Sequence, residues 1–265
     1  AYGNSVQASR SPAQYVLVLK ANGGETVSQG AVYDVQWRAA GFAGTVDLSW
    51  SNDGGATWNS LSSGELNDGS YGWSVNAATF TAGSNYLLRV ASTDTPAIFD
   101  TSDHVFTVSP PIHFYYVNDN STLNDQYSTA AGDDANDGLD PSRPKASIRS
   151  VLDTYDLNAG DVILVDVGNY LLTTNITIAA QDSGVAIQGP TNAGVRALLN
   201  RGNTSSTSYV FQFSNADDVT IANLAMTGAY HAVYAVSGAD ADRLTLRNNE
   251  IYGQASIGVY IQSGN

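Results

Sequence analysis

The chain has 265 residues, 11 Lys+Arg against 25 Asp+Glu, no Cys and a formal net charge of −14. Without Cys it cannot build a disulfide scaffold, a thiolate zinc site, an iron–sulfur cluster or a cysteine nucleophile. The negative charge opposes nucleic acid and anionic membrane surfaces as partners, no apolar run reaches the roughly 20 residues of a membrane-spanning helix, and the length allows one large or two modest domains.

Charged residues are only 14% of the chain, while Gly (25) and Tyr (15) are abundant. Polarity comes mainly from Ser, Thr, Asn and Asp, which favour turns and strands over helices. The expected fold class is therefore all-β, in an extracellular or cell-surface protein. Residues 1–12 are small and polar and read as a flexible lead-in.

From Tyr15 the chain shows short strand candidates separated by Gly, Asn and Asp: 15–20, 31–38, 45–51, 58–61, 71–75, 86–91 and 104–108. Seven short strands with a turn signal every ten or so residues predict a sandwich over 13–110. Val46, Leu48 and Trp50 alternate cleanly, whereas Val32, Val35 and Trp37 contain one slip of the bulge kind. Pro110-Pro111 ends the pairing.

The segments Asn22-Gly23-Gly24-Glu25-Thr26-Val27, Val35-Gln36-Trp37, Asp53-Gly54-Gly55 with Trp58, Gly69–Trp73 and Tyr86–Val90 together resemble the "PNGGE" immunoglobulin-like modules of secreted microbial surface proteins. Ala21 stands where that family usually has Pro. The resemblance implies a spacer or adhesive role. Ser51–Trp58 also matches the Asp-box pattern of sialidase propellers, but a propeller needs several copies, so the single one reads as a turn-stabilising device.

The second region, 111–265, begins with a strand at 112–117. An acidic run holding Asp119, Asp125, Asp133, Asp134, Asp137 and Asp140 follows. Ile148, Val151, Leu152 and Tyr155 at i, i+3, i+4 and i+7 predict a helix over 146–157, closing near Asn158-Ala159-Gly160. Strands alone are expected after it, from 161 onward.

Those strands repeat. A shift of 25 residues places Ile221 on Leu246, Asn223 on Asn248, Met226 on Ile251, Gly228 on Gly253, Tyr234 on Val259 and Val236 on Ile261. A period in the twenties with Asn and Gly at fixed corners indicates a solenoid of parallel strands. Stacked Asn223 and Asn248 are expected to form an amide ladder, and the stretch 190–207 reads as an insertion that interrupts the register. In order, Tyr115-Tyr116-Val117, Gly132–Pro141, an amphipathic helix, Ala159–Val165 and Gly168-Asn169-Tyr170 resemble the start of right-handed parallel β-helix proteins of the pectin-lyase-like superfamily. The resemblance implies a helix that caps the first coil. It does not fix an activity, since that superfamily holds lyases, epimerases, galacturonases, tailspikes and inert surface proteins.

Chemistry has few candidates. The only lysines, Lys20 and Lys145, lie outside the rungs, which excludes a lysine-based lyase in the residues present. Arg243 and Arg247, which flank Leu244 and Leu246, leave an arginine base open but read rather as exposed residues that offset Asp240 and Asp242, and His231 reads as a surface or turn residue. Calcium is the one cofactor suggested: Asp133, Asp134, Asn136, Asp137 and Asp140 offer oxygen ligands within eight residues, with Gly132 and Gly138 permitting a tight loop, although capped turns account for the same composition. The Asp217/Asp242 stack, with Asn215 and Asp240, is a second acidic candidate. Tyr71, Trp73, Tyr230 and Tyr252 are the aromatic candidates for stacking on sugars, while Trp37 and Trp50 read as core. Asn120, Asn175 and Asn203 begin N-x-Ser/Thr sequons.

The expected function is a non-catalytic scaffold or adhesive that contacts polysaccharide, the cell envelope or itself. Two alternatives stand beside it. One is the front part of a polysaccharide lyase or epimerase with catalytic rungs beyond residue 265. The other is a filament or surface-layer subunit that self-associates through an open C-terminal rung.

Overall fold

The structure, a computed structural model, describes residues 13–236, 238–239 and 241–262. The lead-in, Asp240 and Asn265 lie outside the described residues. The chain divides into two units, Ala1–Pro111 and Ile112–Asn265. Both are built almost wholly of strands.

The first unit contains β1 (Tyr15–Lys20), β2 (Thr26–Ser28), β3 (Val32–Ala40), β4 (Val46–Ser51), β5 (Asn59–Glu65), β6 (Ser70–Ser74), β7 (Gly83–Ser92), β8 (Phe99–Thr101) and β9 (Phe106–Ser109). One sheet has the order β1-β3-β6 and the other β2-β9-β7-β4-β5, with β8 on β7. β2 and β8, at three residues each, are too short to show a period and were not expected. The slip expected in β3 is absent, because of the three residues that suggested it Val32 is exposed and only Val35 and Trp37 are buried. The irregularity lies in β1, between Val18 and Lys20.

The two sheets share one apolar core in which Trp73, Tyr86, Phe106, Leu48 and Leu88 are fully buried. Each such side chain stabilises the fold by about 1.5–3 kcal/mol relative to exposure. Trp37 and Trp50 are buried as expected. Glu25 closes the 22–25 turn by accepting the amides of Asn22 and Gly23 at 2.9 and 2.6 Å. In the Asp-box turn Asp53 accepts the Thr57 amide (2.9 Å) and hydroxyl (2.6 Å), and these bonds with the Ser51 hydroxyl hold its carboxyl far below the usual range. Trp58 Nε1 donates to the Gly55 carbonyl at 3.1 Å, and the Arg89 guanidinium lies 3.9 Å from the Trp58 ring centre.

The second unit contains β10 (Phe114–Val117), α1 (Ile148–Thr154), β11 (Val162–Val165), β12 (Gly168–Leu171), β13 (Ile176–Ala179), β14 (Ala186–Gln188), β15 (Ala197–Asn200) and β16 (Tyr209–Ser214). It continues with β17 (Thr220–Ala222), β18 (Leu224–Thr227), β19 (His231–Ala235), β20 (Thr245–Arg247), β21 (Glu250–Ile251) and β22 (Val259–Ile261). Three parallel sheets result, ordered β10-β11-β14-β17-β20, β12-β15-β18-β21 and β13-β16-β19-β22. From β11 onward each circuit of chain thus lays one strand on each sheet. Inward residues of successive circuits stack in columns, such as Ile163, Ile187, Ile221 and Leu246 on the first sheet.

α1 starts at an N-cap, Ser147, whose hydroxyl accepts the Ser150 amide at 3.1 Å. Its residues Ile148, Val151 and Leu152 join the core that β11 and β13 enclose. The helix is shorter than the expected 146–157. Tyr155 is already extended (φ −119°), and its hydroxyl donates to the Asp137 carbonyl at 2.7 Å. The positive φ of Gly160 therefore serves a later turn, not a helix cap.

The stretch 190–207 is not a register break: it carries β15, which pairs with β12 and β18. The 25-residue shift holds for Ile221 on Leu246 and Met226 on Ile251. On the third sheet the shift is 26, because Tyr234 pairs with Tyr260 and Ala235 with Ile261. One extra residue in the corner before β22 displaces the expected pairs Tyr234/Val259 and Val236/Ile261. Asn223 and Asn248 both adopt left-handed backbone (φ 58° and 55°), which explains Asn at those corners. The bridging amide belongs instead to Asn249, whose Oδ1 accepts the Leu224 amide at 3.0 Å while Nδ2 donates to the Ile221 carbonyl at 2.8 Å. Among the described residues no helix is long and apolar enough to cross a membrane.

Candidate functional site

The third parallel sheet gathers aromatic rings at the starts and outer faces of its last three strands. At the start of β16 both Val210 and Phe211 are fully buried, and at the start of β19 both Ala232 and Val233 are. Alternation fails at these corners, so Tyr209 and His231 turn toward Tyr234 and Tyr260 on the outer face. Tyr209 lies in one circuit, His231 and Tyr234 share the next, and Tyr260 lies in the one after. The stacked planes are nearly parallel: Tyr209–Tyr234 at 4.0 Å and 9°, His231–Tyr260 at 5.0 Å and 13°, Tyr234–Tyr260 at 5.7 Å and 10°. These spacings straddle the 4.7–4.9 Å separation of paired strands, so the backbone ladder itself sets the stack. Tyr230 stands across His231 at 4.6 Å and 70°.

Beside these rings is a cleft of about 290 Å³. Its other lining residues are Ser206, Ser256 and Ile257, so its described lining holds no Lys, Arg, Asp or Glu. Tyr209 and His231 are nearly buried and form its base; Tyr230, Tyr234 and Tyr260 are half-buried and form its walls. The placement of His231 corrects the surface reading. Its Nδ1 lies 2.7 Å from the Ile257 carbonyl. A carbonyl only accepts, so Nδ1 carries the proton and Nε2 is the acceptor in the neutral ring. The Tyr209 hydroxyl donates to the Ser206 carbonyl at 3.0 Å, and burial, followed by the neighbouring Tyr234, raises its pKa.

A second line of residues fixes the base. Asn175 Oδ1 accepts the Tyr209 amide at 3.0 Å and Arg201 Nε at 3.2 Å, and its Nδ2 donates to Gln212 Oε1 at 2.9 Å. The amide of this sequon is therefore engaged within the fold. Arg201 also donates to the Leu172 carbonyl at 3.1 Å.

The other expected sites are placed differently. Trp73 is fully buried between Phe80, at 4.9 Å, and Phe106, at 6.0 Å, so the expectation that it forms a sugar platform is corrected: both of its faces belong to the core. Tyr71 packs half-buried against the same core. Tyr230 lines the cleft, whereas Tyr252 is exposed and does not.

The acidic loop is a series of closed turns. Asp133 Oδ1 accepts the Ala135 amide, Asp134 accepts the Ala146 amide and the Ser147 hydroxyl, and Asn136 Nδ2 donates to the Pro144 carbonyl. Asp137 pairs with Arg143 at 2.6 Å, and Asp140 accepts the Ser142 amide and hydroxyl. A Cβ on Gly132 would meet the Asn118 carbonyl at 2.0 Å, so that glycine serves a close backbone approach. Among the described residues no three His, Asp or Glu side chains are grouped to hold a metal. At the other acidic corner Arg243 bridges the charges, donating to both Asp218 oxygens at 2.6 and 2.8 Å.

Sequence reasoning missed Tyr209, Tyr234 and His231 as a group. The available signal was an aromatic residue near the same corner of three successive circuits, hidden by the 26-residue step. Compared with known proteins, the chain matches no family model, no curated protein and no solved structure.

Proposed function

We propose that the protein is an exported or cell-surface scaffold, with an immunoglobulin-like sandwich before a right-handed parallel β-helix, and that it contacts polysaccharide without chemistry through the Tyr209–Tyr260 cleft. The β-helix reading is supported by three strands per circuit and by the buried columns. Two sheets around one aromatic core support the immunoglobulin-like reading. The resemblance is weaker at Ala21, whose φ of 68° is a conformation that Pro, the usual residue there, cannot adopt.

The observation that carries the functional reading is the aromatic cleft. Tyr side chains offer apolar ring surface for the C–H faces of a pyranose and a hydroxyl for its edges. A lyase or epimerase would also need a cation to offset a uronate carboxylate and a base near the sugar. The cleft lining contains no Lys or Arg. Lys145 is buried and donates to the Asp134 carbonyl, so it is not poised for that task. Calcium at the acidic loop is not needed for this reading, because Asp133, Asp134, Asn136, Asp137 and Asp140 each have an internal partner.

The test is electrophoresis through native gels cast with soluble polysaccharides. Retardation of the wild type by at least one of them, abolished in Tyr234→Ala, supports the reading. Equal mobility in every gel would exclude it.

A further inference from the structure

We infer that the cleft selects uncharged polysaccharide over polyuronates and other acidic glycans. This inference deepens the carbohydrate reading and rests on it. The reason is electrostatic: five aromatic rings, two serines and one isoleucine line the cleft, with no Lys or Arg among them. The chain as a whole carries −14, which repels a polyanion before contact.

Two guanidinium groups beside the same sheet do not supply the missing charge. Arg149 and Arg201 line a separate depression on the same sheet, of about 390 Å³. Arg201 is 9% exposed and donates to the Leu172 carbonyl and Asn175 Oδ1. Arg149 is paired with Asp153 at 3.1 Å and donates to the Thr174 hydroxyl. A uronate carboxylate in the cleft would lose hydration and find no Lys or Arg to pair with, a cost that an uncharged pyranose avoids. What the cleft offers instead suits a neutral sugar: half-exposed surfaces of Tyr230, Tyr234 and Tyr260, and serine and phenol hydroxyls at the rim.

The experiment is calorimetric titration of the whole chain with hydroxyethylcellulose, xyloglucan, galactomannan, polygalacturonate and alginate, at about 0.01 M and about 1 M salt, where the screening length falls from about 30 to about 3 Å. The expected result is binding of one or more neutral polymers with affinity changed less than about twofold by salt, and no binding of the acidic polymers. Tyr260→Ala is expected to weaken binding about tenfold, while Tyr260→Phe, which keeps the ring, stays within about threefold. Retention in Tyr260→Phe with a wild-type melting temperature distinguishes loss of the ring face from loss of fold. Salt-sensitive binding of polygalacturonate or alginate, removed by Arg149→Gln, would overturn the neutral selectivity while leaving the carbohydrate reading intact. Failure of all five polymers to bind would overturn both.

Discussion

Tyr209 and Tyr234 lie on successive circuits with ring centres 4.0 Å apart and planes 9° from parallel. Their backbones are not partners: Tyr209 is in register with His231, and Tyr234 with Gln212. The contact is a diagonal one, made possible because Tyr209 turns at the strand start. Its ring and its hydroxyl therefore contribute separately. Tyr209→Phe removes only the bond to Ser206 and is expected to cost about 0.5–1.5 kcal/mol, whereas Tyr209→Ala also removes a nearly buried ring and is expected to cost about 3–5 kcal/mol. Urea denaturation followed by circular dichroism reads both, and equal losses would show that the ring contributes little.

Asn249 supplies two hydrogen bonds that the backbone ladder lacks at its corner, one to Leu224 and one to Ile221. Asn249→Ala leaves a part-buried amide and carbonyl without those partners and is expected to lower stability by about 1–3 kcal/mol. Asn248→Ala acts by a different route, since it forces a residue with poor tolerance for φ 55° into that backbone, and the cost is expected at about 1 kcal/mol. A larger loss in Asn248→Ala than in Asn249→Ala would restore the amide-ladder expectation for Asn223 and Asn248.

Asp166 is fully buried and accepts four backbone amides: Gln126 (2.7 Å) and Val167 (2.8 Å) on Oδ1, Tyr127 (2.8 Å) and Ser128 (2.6 Å) on Oδ2. One carboxylate thereby ties the 126–128 loop to the end of β11. Asp166→Asn turns an acceptor into a donor facing amides, and about 1–3 kcal/mol is expected for each amide left buried and unpaired. Hydrogen exchange is expected to accelerate first at residues 126–128. Unchanged exchange there would refute the role.

Asp182 is buried, its Oδ2 accepts the Ala179 amide at 3.1 Å, and its Oδ1 has no hydrogen-bond partner. Burial raises its pKa, so folding favours the neutral carboxyl. Below the unfolded value of about 3.9 both states are neutral and nothing is lost; as pH rises through the higher folded value, stability falls. Asp182→Asn is therefore expected to raise the melting temperature at pH 7 and to leave it unchanged near pH 3. A variant less stable than wild type at pH 7 would contradict this.

Periodicity revealed what backbone pairing enforces. Val46, Leu48 and Trp50 alternate because one sheet face is buried, and the matching of Ile221 with Leu246 follows from inward columns in a parallel coil. What it missed has local causes. β15 lies among Pro, Asn and Gly, so its four residues looked like loop. Trp73 shares a strand with half-buried Tyr71, and composition alone does not tell a core face from a wet one. The aromatic cleft escaped because a single inserted corner residue moves Tyr260, and not Val259, beside Tyr234.

The most direct measurement is NMR of the protein with isotope-labelled tyrosine rings during titration with an oligosaccharide of a neutral polymer that it binds. The expected result is a set of shifts centred on Tyr230, Tyr234 and Tyr260, with Tyr71 and Tyr252 unmoved. Shifts at Tyr71 or Tyr252 with the three cleft residues silent would contradict the assignment of the sugar site to the third parallel sheet.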